Sequence, residues 1–551
     1  MNNYFGKDDR SQKVYVMFWA ILLGVLLARA FYFGLTYFRF LDDYATYGVF
    51  NRRNANIFED IVLYYRHFTW RPLAFFADAY ITQWFWNQFW VVLLWYTLMH
   101  FATVYLFHRV MVKSRIKFGL FGIVIIALTP ILSEAVYWIG ASTRLVPGMF
   151  FAIMSAYMLL RHIEREENNI YGKRYLNLYI VFNVLAIGWF EQIIVFNLVF
   201  SILIIWMNRH RIFANIGLMY VIPVLNTVFI SIYYAVLAPF GRVGERGHMI
   251  SIMDIPSQIF YVTRSLGGLL IRTNYQIMSG GFVKSLGIMM NVQGIVMILV
   301  LAVISVCLYF AYNRTFLAFD EQIDIAGGWK ILLGLILTLA PFGPFYLLQN
   351  HAMAPRTVYP AIFGIALILD AVLDALAEMK PLRKIRPAVS VVFIVPFFMI
   401  YVAEINNYRL IEQYDVKIMD SFLNAFEASG LDDQTTLILF NTEIVYADIV
   451  RAGGEYRLEN VTSNNWAMQG MANSESDLFR FRLIEPVRTG RDMVEPQWLN
   501  DYHSFFGLDD ELNVVRLELD GDNLLYYGED RVFGRIEPYE DHLFFFRGAK
   551  S

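Results

Sequence analysis

Long apolar segments are the feature of this sequence that most constrains its fold. A helix needs roughly 20 apolar residues to cross the hydrocarbon core of a bilayer, and about eleven segments approach that length. They are centred near Leu23, Leu94, Ile125, Ile153, Val181, Phe200, Val224, Leu299, Leu335, Leu367 and Val395. With 57% hydrophobic and 17% charged residues, the chain is also too apolar for a soluble protein of 551 residues. The sequence predicts an all-α polytopic membrane protein.

Lys and Arg are concentrated in every second loop between these segments. They precede the first segment and follow the second, fourth, sixth and tenth, for example at Lys13, Lys113, Arg174, Arg209 and Lys384. The positive-inside rule then places the N-terminus in the cytoplasm and, with eleven spans, the C-terminus outside. The first segment is too long for a signal-peptide core and is interpreted as a retained anchor in the cytoplasmic membrane.

The composition changes near Glu404. Residues 403–551 carry 13 Lys and Arg against 28 Asp and Glu, whereas residues 1–402 carry 32 against 20. We therefore expect a transmembrane domain over 1–403 and a soluble, acidic extracytoplasmic α/β domain over 404–551. Its predicted elements are a helix over 408–428, a strand over 435–440 and a hairpin of 514–519 with 524–527 around Asp520-Gly521-Asp522-Asn523. The single cysteine, Cys307, excludes an intrachain disulfide.

An acidic pair, Asp42-Asp43, follows the first segment. Carboxylates cost several kcal/mol in lipid, so we expect this pair at the outer membrane boundary. The loop from Asp42 to Trp86 mixes aromatic residues with Arg66 and Arg71, which suits short helices lying in the interface plane. Any ligand held at that interface would be within reach of the pair.

Every later outer loop also supplies ionisable groups. These are Glu134 and Arg144 in the second loop, Glu191 in the third, Arg264 in the fourth, and His351 and Arg356, with the nearby Tyr359, in the fifth. Cations on the outer side run against the positive-inside rule, and an anionic ligand would explain them. We expect these groups to converge on one cavity.

Sequence motifs for cofactors are lacking. The chain has no metal-type Cys/His spacing, no Walker loop and no dinucleotide fingerprint, and the run Met278-Ser279-Gly280-Gly281 predicts a simple loop. A hard divalent ion could be held by Asp42, Asp43, Glu134 and Glu191 if these carboxylates converge. The cofactor is left open.

Two short motifs carry a resemblance to a known family. Leu41-Asp42-Asp43-Tyr44 and, further on, Arg71-Pro72-Leu73 are similar to the "DD(Y/W) … RPL" pattern of bacterial proteins akin to the O-antigen glucosyltransferases. Those proteins belong to the GT-C superfamily of glycosyltransferases that use polyprenyl-phosphate sugars. The architecture of residues 1–402 resembles that superfamily, and the outer domain matches no family that we can name.

The resemblance implies an inverting glycosyltransferase at the outer face of the membrane. Its partners would be a polyprenyl-phosphate-linked sugar, a glycan or lipid acceptor of the cell envelope and the membrane lipids, and no nucleic acid. Asp43 is the favoured general base, with Asp42 and Glu191 as further catalytic candidates. The substrate-binding candidates are Arg71, Glu134, Arg144, Arg264, His351, Arg356 and Tyr359, of which Arg71 and Arg356 would bind the lipid phosphate.

Each candidate also has a structural interpretation. Asp42 or Asp43 can cap a helix or pair with Arg39, Arg71 can extend to lipid headgroups, and Glu191 can form a structural ion pair. Two other functions also remain open. A polysaccharide polymerase or ligase should have one very large late outer loop, and a transporter or flippase should carry charges near the bilayer midplane, often in repeated halves. The short late loops and the outer position of the charges favour the glycosyltransferase.

Overall fold

The structure is a computed structural model that describes most of the chain. The described residues are 9–48, 71–167, 173–209, 252–316, 327–346, 353–377, 386–431, 436–442, 458, 460–476, 481–490, 492–501, 504–539 and 542–547. The predicted span near Val224, the candidate His351 and residues 49–70 of the predicted interfacial helices lie outside these ranges.

Helices occupy ten of the eleven predicted apolar segments. They run over Asp9–Ala30, Phe89–Lys113, Leu120–Leu128, Ile139–Glu167, Lys173–Ile187, Glu191–Met207, Val292–Phe316, Gly327–Leu339, Ile362–Ala377 and Arg386–Ser429. By length and composition, six helices in the described ranges can cross a membrane: Gln12–Ala30, Thr82–Lys113, Ile139–Arg165, Val292–Arg314, Gly328–Tyr346 and Val391–Ser429. The chain is therefore a helical membrane protein with a C-terminal α/β domain. The number of eleven spans stays a prediction.

The loop predicted at Met278–Gly281 is wrong. The run lies inside the helix Asn274–Met289, which packs against Arg386–Ser429. Every fourth residue of this helix is buried, namely Ile277, Gly281, Ser285 and Met289. Two glycines each disfavour a helix by about 1 kcal/mol, and the burial of this stripe offsets that cost.

The helix Arg386–Ser429 joins the two predicted domains. It continues for 44 residues from the last apolar segment through the helix predicted at 408–428. Its residues Phe422 and Phe426 are fully buried, and both rings contact Phe481 and Phe506 of the C-terminal domain, which we call the outer domain after its predicted location. The change of composition near Glu404 therefore falls within one continuous helix.

The outer domain is built on an eight-stranded sheet. Its strands are β1 (Leu437–Phe440), β2 (Ile484–Val487), β3 (Met493–Val494), β4 (Ser504–Leu508), β5 (Val514–Asp520), β6 (Asn523–Tyr526), β7 (Val532–Tyr539) and β8 (His542–Arg547). Their order is β2-β1-β4-β5-β6-β7-β8-β3, with β1 parallel to β2 and β4 and the remaining pairs antiparallel. The predicted hairpin is confirmed as β5–β6, in which Asp520 pairs with Asn523 and Gly521 has a φ of 59°.

The outer domain also contacts the segment that follows the acidic pair. Its helix Asn465–Glu475 packs on the helical turn Tyr44–Gly48. A Cβ at Gly470 would collide with the backbone of Ala45, so the two elements touch at van der Waals distance. The outer domain therefore helps to fix the position of Asp42 and Asp43.

Candidate functional site

Asp43 is a fully buried carboxyl group that accepts three hydrogen bonds. The Tyr37 hydroxyl donates to its Oδ2 at 2.5 Å, the Phe40 N–H to the same oxygen at 2.9 Å, and the Gly140 N–H to Oδ1 at 3.0 Å. Gly140 is the second residue of the helix Ile139–Glu167, and the Ile139 N–H donates to Tyr37 Oη at 2.9 Å. Asp43 thus ties the segment that follows the first helix to the N-terminus of this helix.

Burial is the largest influence on the pKa of Asp43. Burial raises the pKa of Asp43 to about 8, and the hydrogen bonds from Tyr37, Phe40 and Gly140 oppose that rise. A general base must touch the hydroxyl that it deprotonates. Asp43 is 0% exposed and both of its oxygens already have donors, so its geometry is that of a positioning residue.

Asp42 has the opposite environment. Its side chain is partly exposed, and within the described ranges its carboxylate makes no hydrogen bond and no ion pair. It interacts electrostatically with Asp43, Asp78 and Arg144. Of the two predicted acids, Asp42 is the one whose oxygens have no hydrogen-bond donor among the described residues.

Arg144 is a cation that interacts electrostatically with Asp42. It lies in the first turns of the helix Ile139–Glu167, is partly exposed, and interacts with Asp78, Asp42 and Glu191 through their charges. Among the residues that the structure describes, none forms a hydrogen bond or an ion pair with its guanidinium. Arg144 can therefore offer its planar donor array to an anionic ligand.

Asp78 belongs to the same cluster and was missed in the sequence. It is 4% exposed, and the Tyr47 hydroxyl donates to its Oδ1 at 2.8 Å. Burial raises the pKa of Asp78 to about 6, against the opposing charge of Arg144. The available signal was one acidic residue in the otherwise apolar helix Pro72–Tyr80.

Arg71 and Glu191 form a bidentate ion pair. Arg71 Nε donates to Glu191 Oε2 at 2.9 Å and Nη2 to Oε1 at 2.6 Å, and the guanidinium carbon lies 4.2 Å from the centre of the Phe190 ring. Next to the pair, the Leu73 N–H donates to Gly188 O at 2.9 Å. The Arg71-Pro72-Leu73 motif therefore anchors the predicted first outer loop to the predicted third. The catalytic function predicted for Glu191 stays a prediction.

Arg356 and Glu134 form a second ion pair. The Arg356 side chain is 35% exposed and Glu134 is buried. The guanidinium carbon of Arg356 lies 5.1 Å from the centre of the Trp138 ring. Both cations predicted to bind phosphate, Arg71 and Arg356, thus already have carboxylate partners.

The predicted convergence of all outer loops is only partly found. Tyr359 is fully buried and its hydroxyl lies 2.9 Å from His100 Nδ1, inside the helix bundle, so a substrate outside the bundle would not reach it. Arg264 is exposed in the last turn of the helix Ile255–Gly267. His351 lies outside the described residues.

A divalent ion receives no support from the geometry. Over the described ranges, no group of three or more His, Cys, Asp or Glu side chains is placed to hold a metal. Of the four carboxylates considered for such a site, two are already bound to arginines: Glu191 pairs with Arg71, and Glu134 pairs with Arg356.

Comparisons with known proteins add no relative. No protein-family model matches the chain, and no curated protein and no solved structure is significantly similar to it. The function must therefore be argued from the site and from the two short sequence motifs.

Proposed function

We propose that this chain is an inverting membrane glycosyltransferase of the GT-C type. It transfers a sugar from polyprenyl phosphate to a hydroxyl group of a cell-envelope glycan or lipid, at the outer face of the cytoplasmic membrane. The observation that carries the proposal is a carboxylate, Asp42, and a guanidinium, Arg144, that act on each other through their charges and have no hydrogen-bond partner among the described residues.

The two free groups match the two charges of this reaction. Asp42 takes the proton of the acceptor hydroxyl as its oxygen attacks the anomeric carbon. The bond between that carbon and the phosphate oxygen breaks, and the lipid phosphate leaves with additional negative charge. Arg144 stabilises that charge by hydrogen bonds that strengthen in the transition state.

The paired residues support these two groups. Asp43 fixes the backbone next to Asp42 through its three hydrogen bonds. Glu191 orients Arg71, which adds positive potential beside Arg144 without being a free ligand. Asp42 is therefore the proposed base and Asp43 a positioning residue, whereas the sequence favoured Asp43 as the base.

A transporter or flippase is the second candidate, and one observation favours it. Arg29 and His100 are buried inside the helix bundle, 1% and 0% exposed, where a transporter places its ionisable groups. Neither residue is adjacent in the structure to the Asp42–Arg144 cluster by any described contact. We therefore rank the enzyme first.

Reconstituted protein separates these functions. Purified protein in liposomes is given a radiolabelled hexose on polyprenyl phosphate, the same hexose on polyprenyl pyrophosphate, and a lipid extract of the cell envelope as acceptor. We expect label to move to the extract from the monophosphate donor only. Transfer from pyrophosphate alone would indicate a polymerase or ligase, and translocation of the intact donor without transfer would indicate a flippase.

A further inference from the structure

One long helix runs over residues 255–289, in the predicted fourth outer loop. It consists of the helix Ile255–Gly267, the π-helical turn Gly268–Thr273 and the helix Asn274–Met289. The backbone keeps right-handed helical dihedral angles across both junctions. At 1.5 Å per residue, this helix is roughly 50 Å long, well beyond the hydrocarbon thickness of a bilayer of about 30 Å.

The N-terminal half of this helix contacts the end of a candidate span. Gln258 Nε2 donates to Phe345 O at 3.0 Å, and Val262 is buried in one cluster with Phe345 and Ala361. Phe345 is at the end of the candidate span Gly328–Tyr346, and Ala361 directly precedes the next apolar helix. The N-terminal half therefore lies where the chain turns back between these two helices.

The C-terminal half lies at the same end of the bundle. Lys284 Nζ donates to Asn407 Oδ1 at 2.5 Å. The helix Asn274–Met289 also packs on the turn Pro130–Leu132, and that turn packs on Pro355–Val358, in the connection that the N-terminal half contacts. The turn Pro355–Val358 in addition contacts the π-helical turn in the middle of the long helix.

These contacts bear on whether the long helix crosses the membrane. Gln258 and Lys284 are separated by roughly 39 Å along the helix, more than the hydrocarbon thickness of about 30 Å. A helix that crossed the bilayer would place these two residues on opposite sides. Both instead contact the same end of the bundle, which indicates a helix lying along one surface of the membrane.

The face of the helix turned away from the protein is largely apolar. Large side chains that are each more than two-thirds exposed are Phe260, Ile271, Tyr275 and Val283. Arg264 lies one turn after Phe260, Arg272 lies next to Ile271, and both arginines are exposed. An exposed apolar stripe with arginines suits a lipid–water interface, where apolar side chains enter the acyl region and guanidinium groups stay with the headgroups.

The exposed stripe is continuous with a lipid-facing surface. After Met289, two residues connect the helix to the candidate span Val292–Arg314. That span is the least buried of the six candidate spans, and its side chains Leu299 and Val303 are exposed. The C-terminal end of the long helix therefore lies at the edge of the bundle, next to lipid.

We infer that the exposed face of the helix 255–289 lies in the outer lipid–water interface and binds the phospholipid surface. Phe260, Tyr275 and Val283 enter the upper acyl region, and Arg264 and Arg272 contact headgroup phosphates. This inference does not depend on the proposed function. It assigns Arg264, a predicted substrate ligand, to the membrane surface.

Spin labels on single cysteines measure the depth of this face. Phe260→Cys, Tyr275→Cys and Val283→Cys are made in a Cys307→Ser background, labelled and reconstituted in liposomes. Collision rates with oxygen and with a water-soluble nickel chelate then report depth by paramagnetic resonance. We expect one shared shallow depth at all three positions, about 5 to 10 Å below the headgroups.

Two positions calibrate the measurement. Leu299→Cys, in the candidate span, is the deep reference, and Glu529→Cys, exposed in the outer domain, is the aqueous reference. A label at position 275 as deep as that at 299 would indicate a spanning helix and overturn the inference. Nickel accessibility at all three positions equal to that at 529 would also overturn it, because the face would then be in water.

Arg264→Glu tests the headgroup contact. With the label at position 260, one turn away, nickel accessibility should rise about threefold or more, because lipid phosphates repel a carboxylate. Arg531→Glu is the matched control, since it makes the same change at an exposed site of the outer domain and should leave the label at 260 unaffected. Thermal unfolding verifies that each variant is folded. Unchanged accessibility in Arg264→Glu would overturn the contact of Arg264 with the headgroups.

Discussion

At the scale of single residues, the adjacent acids Asp42 and Asp43 show how strongly burial divides two chemically identical groups. Asp43 is enclosed and bonded by Tyr37, Phe40 and Gly140, whereas Asp42 is partly exposed beside Arg144. The sequence predicts the pair at the membrane boundary because lipid excludes charge. It could not rank the two acids, because their difference arises from a helix nearly 100 positions further along the chain.

The buried state of Asp43 predicts a pH dependence of stability. The folded protein holds the Asp43 proton up to about pH 8, whereas an unfolded Asp releases it near pH 4. The folded state then binds more protons between these values, so stability falls as pH rises through this window. Between pH 5 and 7 the unfolding free energy of the wild-type protein should fall with pH, and Asp43 should contribute up to about 1.4 kcal/mol per pH unit to that fall. Asp43→Asn should lack this contribution.

Thermal or chemical unfolding in detergent at pH 5, 6 and 7 measures this slope. Asp254→Asn, at an exposed site, is the control and should keep the wild-type slope. Equal slopes in the wild-type protein and Asp43→Asn would mean that Asp43 is ionised in the fold.

Gly140 tests how closely Trp138 and Asp42 pack against the start of the helix Ile139–Glu167. The Cβ of Gly140→Ala would press on both side chains, so we expect a loss of about 1 to 3 kcal/mol in unfolding free energy and a clear loss of turnover. Gly24→Ala is the control, because a Cβ at Gly24 meets no atom within 4 Å in the helix Asp9–Ala30. If Gly140→Ala kept normal turnover and stability, the close packing of Trp138 and Asp42 against Gly140 would be refuted.

At the scale of elements, the outer domain acts on the site through one helix. Asn465–Glu475 packs on the turn Tyr44–Gly48, and Gly470 permits that contact. Gly470→Val should displace the turn and reduce turnover severalfold, because Asp42 directly precedes it. Gly287→Val, where a Cβ meets no atom within 4 Å, controls for the cost of valine in a helix. Equal turnover in these two variants would show that the contact does not position Asp42.

The same scale shows how much of the fold the sequence could predict. The length of the apolar segments predicted the helices near Leu94, Ile153 and Leu299. Two strand-like segments on either side of an Asp-Gly turn predicted the β5–β6 hairpin. The helix through Met278–Gly281 was missed, because local propensity disfavours it and burial against Arg386–Ser429 stabilises it. Asp78 and the partners of Arg71 and Arg356 depend on contacts between distant segments, which no local pattern records.

At the scale of the whole molecule, the alternation of basic loops predicts the topology. Single cysteines in a Cys307→Ser background can be labelled in intact cells with an impermeant thiol reagent. Exposed positions are suitable reporters, whereas Lys113 and Glu134 are buried. We expect labelling at 253 and 529 without permeabilisation, and at 174 only after it. Protection of positions 253 and 529 together would remove the span near Val224, because every later position then changes side, and labelling of position 174 in intact cells would reverse the orientation.

The central claim is that Asp42 is the base of a sugar transfer from polyprenyl phosphate. Its most direct test is the turnover of Asp42→Asn in the liposome assay, with donor affinity measured separately and Asp254→Asn as the exposed control. We predict that Asp42→Asn reduces turnover by about 10²-fold or more while donor affinity and unfolding stay close to those of the wild-type protein. Near-normal turnover in Asp42→Asn, or a loss confined to a folded Asp43→Asn, would contradict the claim.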